Sequence, residues 1–200
     1  MTTTPWPSAG NGALRDRLLD LLDGVESWDD LERRHVAEAR EWITSGAPVY
    51  RTAKPDVPAM HLVSYFVVVD ADQGRLLLVA HRKAGLLLPT GGHVEPMEDP
   101  WDAVRRECVE ELGVEAVALN GFGERPLFVT VTTTRGIGTH TDVSLWFVVH
   151  AAAASITSYD EEEFAAIHWL TPQEILAQPD GTLDPHMVRF TRKLCSRAGW

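Results

Sequence analysis

The sequence predicts an α/β domain, a mixed sheet packed between helices and preceded by a helical extension. Three observations carry this. Leucines recur at helical spacing near the start, apolar β-branched runs follow from His61 onward, and strong helix-capping signals stand between and after those runs.

In chain order, a Thr/Pro-rich start gives way to Leu14, Leu18, Leu21 and Leu22 on one helix face. Leu31, His35, Ala39 and Trp42 repeat the pattern, with Ser27 and Gly46 as the expected start and stop of a second helix. Ala47 to Pro58, with three prolines, reads as a linker. Strands are expected at His61 to Asp70, Arg75 to His81, Pro126 to Thr134 and Asp142 to His150, with a shorter one at Ile167 to Leu170. Turns are expected at Ala71 to Gly74 and at Arg135 to Gly138. A helix starts near Pro100 behind the N-cap Asp99 and ends near Gly113, which suits a left-handed cap. Thr171-Pro172-Gln173-Glu174 is a capping box, and Asp184-Pro185 opens a last helix with Met187, Phe190 and Leu194 on one face. The expected organisation is a helical extension and linker over 1–58 and the main domain over 59–200.

With 200 residues and 44% hydrophobic content the chain can bury a full core. Met1 to Gly10 lack the basic and apolar regions of a secretory leader, and no apolar run approaches the roughly 18 residues that span a bilayer. Cys108 and Cys195 are too few for a disulfide framework and lack zinc-site spacing, so a reducing cytoplasm is expected. A net charge of -11 excludes a nucleic-acid groove or an anionic membrane surface, which need clustered Lys and Arg. Small anionic substrates remain compatible where cations sit beside them.

The chemistry concentrates between Gly91 and Val114. At about 100° per residue, Trp101, Val104, Cys108 and Leu112 gather on the core side of the helix. Glu107, Glu110 and Glu111 fill a neighbouring arc, since i, i+3 and i+4 positions adjoin. Three like charges repel, whereas a bound divalent ion turns the repulsion into coordination, and magnesium prefers such oxygen ligands. Arg106 lies beside Glu110 and can orient a carboxylate through its fork. Gly91-Gly92 removes side chains where the backbone turns sharply or approaches another group.

From Gly92 to Val114 the chain resembles the Nudix box without a gap: Gly92, Glu98, Arg106-Glu107, the apolar Cys108, Glu110-Glu111, Gly113 and the apolar Val114. Seven fixed positions at about 7% usage give a chance match on the order of 10⁻⁸ per starting point. The resemblance implies the Nudix fold, an α/β/α sandwich around a mixed β-sheet, over residues 59–200, with the N-terminal helices outside it. It implies a Mg2+-dependent hydrolase, with Mn2+ as a substitute ion, that cleaves a diphosphate linkage in a nucleoside diphosphate derivative. Glu107, Glu110 and Glu111 resemble the metal-binding carboxylates, with Glu110 and Glu111 the foremost candidates for direct contact. Glu98 and Arg106 resemble the pair that braces the loop against the helix, and Glu98 is a further candidate to reach a metal. Gly92 would shape the loop and present backbone to phosphates. The chain departs from common Nudix sequences at Cys108, at Met97 where glycine is frequent, at Thr90, and at Leu87 where tryptophan is common, which bears on loop shape and substrate preference.

Further candidates lie outside the box. Asp160 to Glu163 is either a solvated loop or, as in many Nudix proteins, the source of a metal-binding or general-base glutamate, with Glu162 as its representative. His81-Arg82-Lys83 could contact phosphates, with Arg82 foremost, or be plain surface. His140 and Asp142 precede alternating core residues and are candidates for the cleft, as is His93. The helices of Trp28 and Trp42 read as core packing or a homodimer contact. Val129 to Val131 occupy the region where ADP-ribose and dinucleoside polyphosphate subfamilies place a proline or a tyrosine. Elimination therefore favours nucleoside or deoxynucleoside triphosphates over ADP-ribose or nucleotide sugars. A Nudix-fold sensor that binds a nucleotide without cleaving it is the competing class, and the intact glutamates speak against it.

Overall fold

All eleven residues from Met60 to Asp70 pair with a neighbour across a ladder, and this run forms the strand around which the sheet is built, β1. The computed structural model describes residues 8–54, 56–134 and 139–200. After helices α1 (Ser8–Asp23) and α2 (Asp30–Thr44) come β1 (Met60–Asp70), β2 (Arg75–His81), β3 (Leu86–Leu88) and β4 (Thr90–His93). Helix α3 (Pro100–Leu112), β5 (Phe128–Thr133), β6 (Thr141–His150), β7 (Phe164–Leu170), α4 (Pro172–Leu176) and α5 (Met187–Ala198) follow.

The sheet runs β3-β2-β1-β6-β5, with β4 on β1 and β7 on β2. Strand β1 pairs parallel with β6, from Met60 opposite Thr141 to Val69 opposite His150, while the other ladders are antiparallel. The sheet is therefore mixed, as expected. Along its other edge β1 changes partner: Val63 to Phe66 pair with β4, and Val69 and Asp70 pair with β2.

Alternation along β1 sorts the core into two layers. Leu62, Phe66 and Val68 pack with Trp101, Val104, Cys108 and Leu112 of α3 and with Leu18, Leu21 and Ile43 of the N-terminal helices. On the opposite face Val67, Val69, Trp146 and Val148 meet Ile175 of α4 and Met187, Phe190 and Leu194 of α5. Val63 and Tyr65 share that second face but line a cleft. The position of the cleft thus follows from strand parity.

The N-terminal helices are built into the molecule. Glu32, fully buried, pairs with the buried Lys193 of α5 at 2.7 Å and accepts the Val129 backbone N–H at 3.2 Å. Asp29 takes the fork of Arg189, whose Nε donates at 2.7 Å. Val49 and Tyr50 of the proline-containing linker are also buried in the core.

Several expectations need correction. Helix α2 is capped by Asp29, not Ser27: the Asp29 carboxylate accepts the Glu32 N–H at 2.8 Å, and Glu32 accepts the Trp28 N–H at 2.6 Å, a reciprocal arrangement that Ser27 is too early to make. Strands β3 and β4 are additional: the first is too short to announce itself and the second is half glycine. Helix α5 begins at Met187 because Asp184 and Pro185 form a turn ahead of it, with the Asp184 carboxylate accepting the His186 N–H at 2.7 Å. Strand β7 starts at Phe164 and not at Ile167. The capping box of Thr171 and Glu174 forms as expected. The turn expected at Arg135 to Gly138 lies outside the described residues.

Candidate active site

Helix α3 is fixed at both ends by its own sequence. Asp99 caps it by accepting the Trp101 N–H at 2.9 Å, Pro100 fills the first turn, and Gly113 closes it at φ +66°. The Asp99 carboxylate also accepts Arg17 Nε of α1 at 2.9 Å, and Ser64 Oγ of β1 donates to the Pro100 carbonyl at 2.8 Å. These contacts set the helix against the sheet edge formed by β4.

Glu107 and Glu111, one turn apart, face that strand. Gly91 donates its backbone N–H to Glu111 Oε2 at 3.0 Å. A Cβ on Gly92 would fall on the Glu107 carboxylate, and one on Gly91, at φ +138°, would collide with the Ser64 carbonyl and the Tyr65 backbone. The glycine pair therefore serves close approach within a strand, not a sharp turn. Glu110 is placed differently: its side chain is 59% exposed and meets only Arg106 Nη1, at 3.4 Å, and it is not part of the cleft wall.

Arg106 meets Glu98, the residue that the resemblance pairs with it. Its fork closes on Glu98, with Nε to Oε1 at 3.0 Å and Nη2 to Oε2 at 3.1 Å, and not on Glu110. Nη2 also donates to the His93 carbonyl at 3.0 Å and Nη1 to Glu107 at 2.6 Å. Glu98 accepts the Glu95 N–H at 2.8 Å, so this pair does join the 94–98 loop to the helix. Within that loop Met97 holds φ +71°, the left-handed conformation for which glycine is the easier residue.

Burial pushes the Glu111 carboxyl up to about 9, and the Glu107 and Glu163 charges add to the rise. Glu107 is also raised, by burial that outweighs the contact with Arg106. Two adjacent carboxyls that resist ionisation in isolation are the arrangement a cation reverses.

Both face a cleft of about 730 Å³. Gly91, Gly92, His93 and Asp142 line it, with Arg51 and Lys83 supplying positive charge and Val63, Leu88 and Pro89 an apolar wall. Arg82 does not line it. Its Nε donates to the Glu161 carbonyl at 3.0 Å, which ties the acidic loop down while His81 and Lys83 on either side reach the cleft. His140 stands behind the lining, 3.2 Å from Asp142 and 3.4 Å from Asp56. Of the 160–163 segment, Glu163 reaches the cleft, with His81 Nε2 at 3.1 Å, while the representative choice Glu162 does not line it. Arg51 lies in the linker, and nothing in its local sequence marks it for the cleft.

The NUDIX domain family matches residues 60–194. A MutT-like protein of Streptomyces ambofaciens is 35% identical over 120 residues, which cover 59% of this chain and 69% of that protein. The MutT protein of Methanosarcina mazei has a similar structure, with a TM-score of 0.55 and 18% identity over 70% of this chain and 96% of that one. The E. coli dihydroneopterin triphosphate pyrophosphohydrolase is similar as well, with a TM-score of 0.54 and 17% identity over 74% of this chain and 97% of that one. At these identities the two structures speak for the fold alone. No helix among the described residues is long and apolar enough to cross a membrane.

Proposed function

Since the chain belongs to the NUDIX family and is a pyrophosphohydrolase of that family, we propose that it hydrolyses a diphosphate linkage in nucleoside or deoxynucleoside triphosphates, aided by Mg2+ held by Glu107, Glu110 and Glu111. One observation carries the reading. Two mutually repelling carboxylates, the buried Glu111 and the half-buried Glu107, stand side by side on the wall of a cleft large enough for a nucleotide.

These residues fit such an ion. They offer hard oxygen donors and pKa values raised in its absence, which an adjacent divalent cation lowers. Glu110, exposed on the same helix, has the freedom to turn towards it. When bound, magnesium would neutralise phosphate oxygens and ease attack of water at phosphorus. Mn2+ has the same ligand preferences and would substitute.

The remaining roles fall to the chain itself. Arg106 and Glu98 hold the helix and the 94–98 loop in register, so that the Glu107 carboxylate keeps one orientation. Arg51 and Lys83 attract the polyphosphate despite the negative net charge, by local field and not by total charge. Glu163, beside His81, takes the proton of the attacking water. Gly91 and Gly92 let β4 lie close against the two carboxylates and so hold Glu107 and Glu111 at the cleft wall.

The triphosphate preference rests on the region after the box. Val129 is fully buried and Thr130 nearly so within β5, where side chains point into the sheet layers and offer no proline or tyrosine to a ligand. The unpaired Cys108 and Cys195 suit a reducing compartment, and we assign the protein to the cytoplasm. The test is a panel of nucleoside triphosphates, ADP-ribose, NADH, nucleotide sugars and dinucleoside polyphosphates assayed with and without magnesium. Magnesium-dependent hydrolysis of a nucleoside triphosphate to the nucleoside monophosphate and inorganic pyrophosphate is expected. Preference for ADP-ribose would overturn the substrate assignment, and nucleotide binding without turnover would make the protein a sensor.

A further inference from the structure

Three imidazoles meet where β1 begins, β4 ends and β6 begins. His61 opens β1, His93 ends β4, and His140 lies just ahead of β6, while Asp56 comes from the linker. Register brings them to one face: His93 is opposite Val63, and Asp142 is opposite His61, two residues earlier on the same strand. Asp56, His61, His93 and His140 each offer one ligand atom, and these atoms all lie within 4.8 Å of one another.

Two pairs within the cluster already stand at the spacing of a coordination shell. Ligand atoms about 2.0–2.1 Å from zinc at tetrahedral angles stand about 3.3 Å apart. His61 Nε2 is 3.1 Å from His93 Nε2, and His140 Nδ1 is 3.4 Å from Asp56 Oδ2. His61 Nε2 and His140 Nε2 are also 3.3 and 3.2 Å from Asp142 Oδ1, an oxygen that is buried and accepts no well-aligned hydrogen bond among the described residues.

The protons are placed to match. His61 Nδ1 lies 2.9 Å from the Pro58 carbonyl, which can only accept, so the ring hydrogen is on Nδ1 and the buried Nε2 turns its lone pair into the cluster. His140 has a carboxylate at each nitrogen, so the nitrogen that does not take a cation has a partner for its hydrogen. Backbone carbonyls and carboxylates in these positions are the outer partners that fix metal-ligating histidines.

We propose that His61, His93 and His140, together with Asp56, form a second cation site, separate from the glutamates of α3, that takes a divalent transition metal of zinc's preferences. Nitrogen-rich donor sets select zinc, cobalt or nickel over magnesium. Strand β4 then carries both centres, with Gly91 and Gly92 against the glutamates and His93 among the imidazoles. An ion here ties the linker, β1, β4 and the approach to β6 together at the mouth of the cleft.

The test uses the full chain, stripped with a chelator and titrated with Co2+, then with Zn2+. One equivalent of cobalt should give the intense visible bands of a tetrahedral nitrogen-rich site. One equivalent of zinc should abolish them, and millimolar magnesium should not. H93Q and H140Q, at half-buried positions and checked for fold by circular dichroism, should lose the bands and weaken zinc binding by more than the about 10–100-fold attributable to outer partners. E111Q should keep them. Wild-type protein that gives no tetrahedral bands, H93Q and H140Q that bind zinc like wild type, or an E111Q that loses the bands would each overturn the proposal.

Discussion

The backbone N–H of Gly91 donates to Glu111 Oε2 across 3.0 Å, so the most deeply buried carboxylate of α3 is held by the strand it faces. That single bond does little against burial, which leaves the carboxyl raised to about 9. Below its unfolded value of 4.5 the group is protonated whether folded or not. Between 4.5 and about 9 the folded chain holds a proton that the unfolded chain gives up, so stability falls as pH rises through this window. In chelator, the melting temperature of the wild type should decline from about pH 5 to pH 9, and Glu111→Gln should flatten that decline. Magnesium should flatten it in the wild type. A pH-independent melting temperature in chelator would contradict the burial argument.

The same substitution bears on catalysis. Glu111→Gln at saturating magnesium should lower kcat by at least about 100-fold, the scale of removing a group that stabilises transition-state charge. Glu163→Gln should cost more than Glu162→Gln, because only the former reaches the cleft. Equal effects from the two loop variants would remove Glu163 from the mechanism.

The two glycines separate fold from function. Gly91→Ala meets backbone on two sides and needs a left-handed φ, so it should destabilise the protein by about 2–4 kcal/mol from strain and overpacking. Gly92→Ala meets only the end of the Glu107 side chain, which can swing away. It should therefore lower activity sharply with a smaller change in denaturant midpoint. Loss of stability in Gly92→Ala equal to that in Gly91→Ala would refute the distinction.

Arg106→Lys keeps the charge and loses the fork. A lysine cannot span both Glu98 oxygens and also reach the His93 carbonyl, so the 94–98 loop should loosen and kcat should fall by about 10-fold or more, with the melting temperature lowered only a few degrees. Backbone hydrogen exchange at residues 94–98 would report the loosening directly.

The buried pair of Glu32 and Lys193 predicts a double-mutant cycle. Glu32→Ala leaves an ammonium with no counter-charge, and burial already lowers the Lys193 pKa, so the single change should cost about 3–5 kcal/mol. Replacing both by leucine or methionine should restore part of that loss, the remainder being the Val129 and Trp28 N–H groups that lose their acceptor. Additive costs in the double variant would show that the pair does not couple.

What could be read in advance follows the range of the interactions involved. Helix α3 was legible because its cap, its first-turn proline, its glycine stop and its carboxylates are all local, and the Glu98–Arg106 brace closes over eight positions. Strands β1, β2, β5 and β6 were legible because a buried sheet writes itself as β-branched runs. Strand β4 was not, since Gly91 and Gly92 pair with β1 while lacking side chains that advertise a strand. The imidazole cluster was invisible for another reason: Asp56, His61, His93 and His140 come from four segments, and only strand register brings them together. Which of the neighbours Arg82 and Lys83 faces the cleft was not legible, because both lie past the end of β2 where strand alternation no longer assigns a side.

The ties of Asp29 and Glu32 to Arg189 and Lys193 join the chain's first quarter to its last helix. During synthesis the glutamate emerges long before its ammonium partner, so it must stay in water until α5 follows. A nascent chain that stops ahead of α5 would display the apolar face of Val67, Val69 and Trp146, which that helix covers.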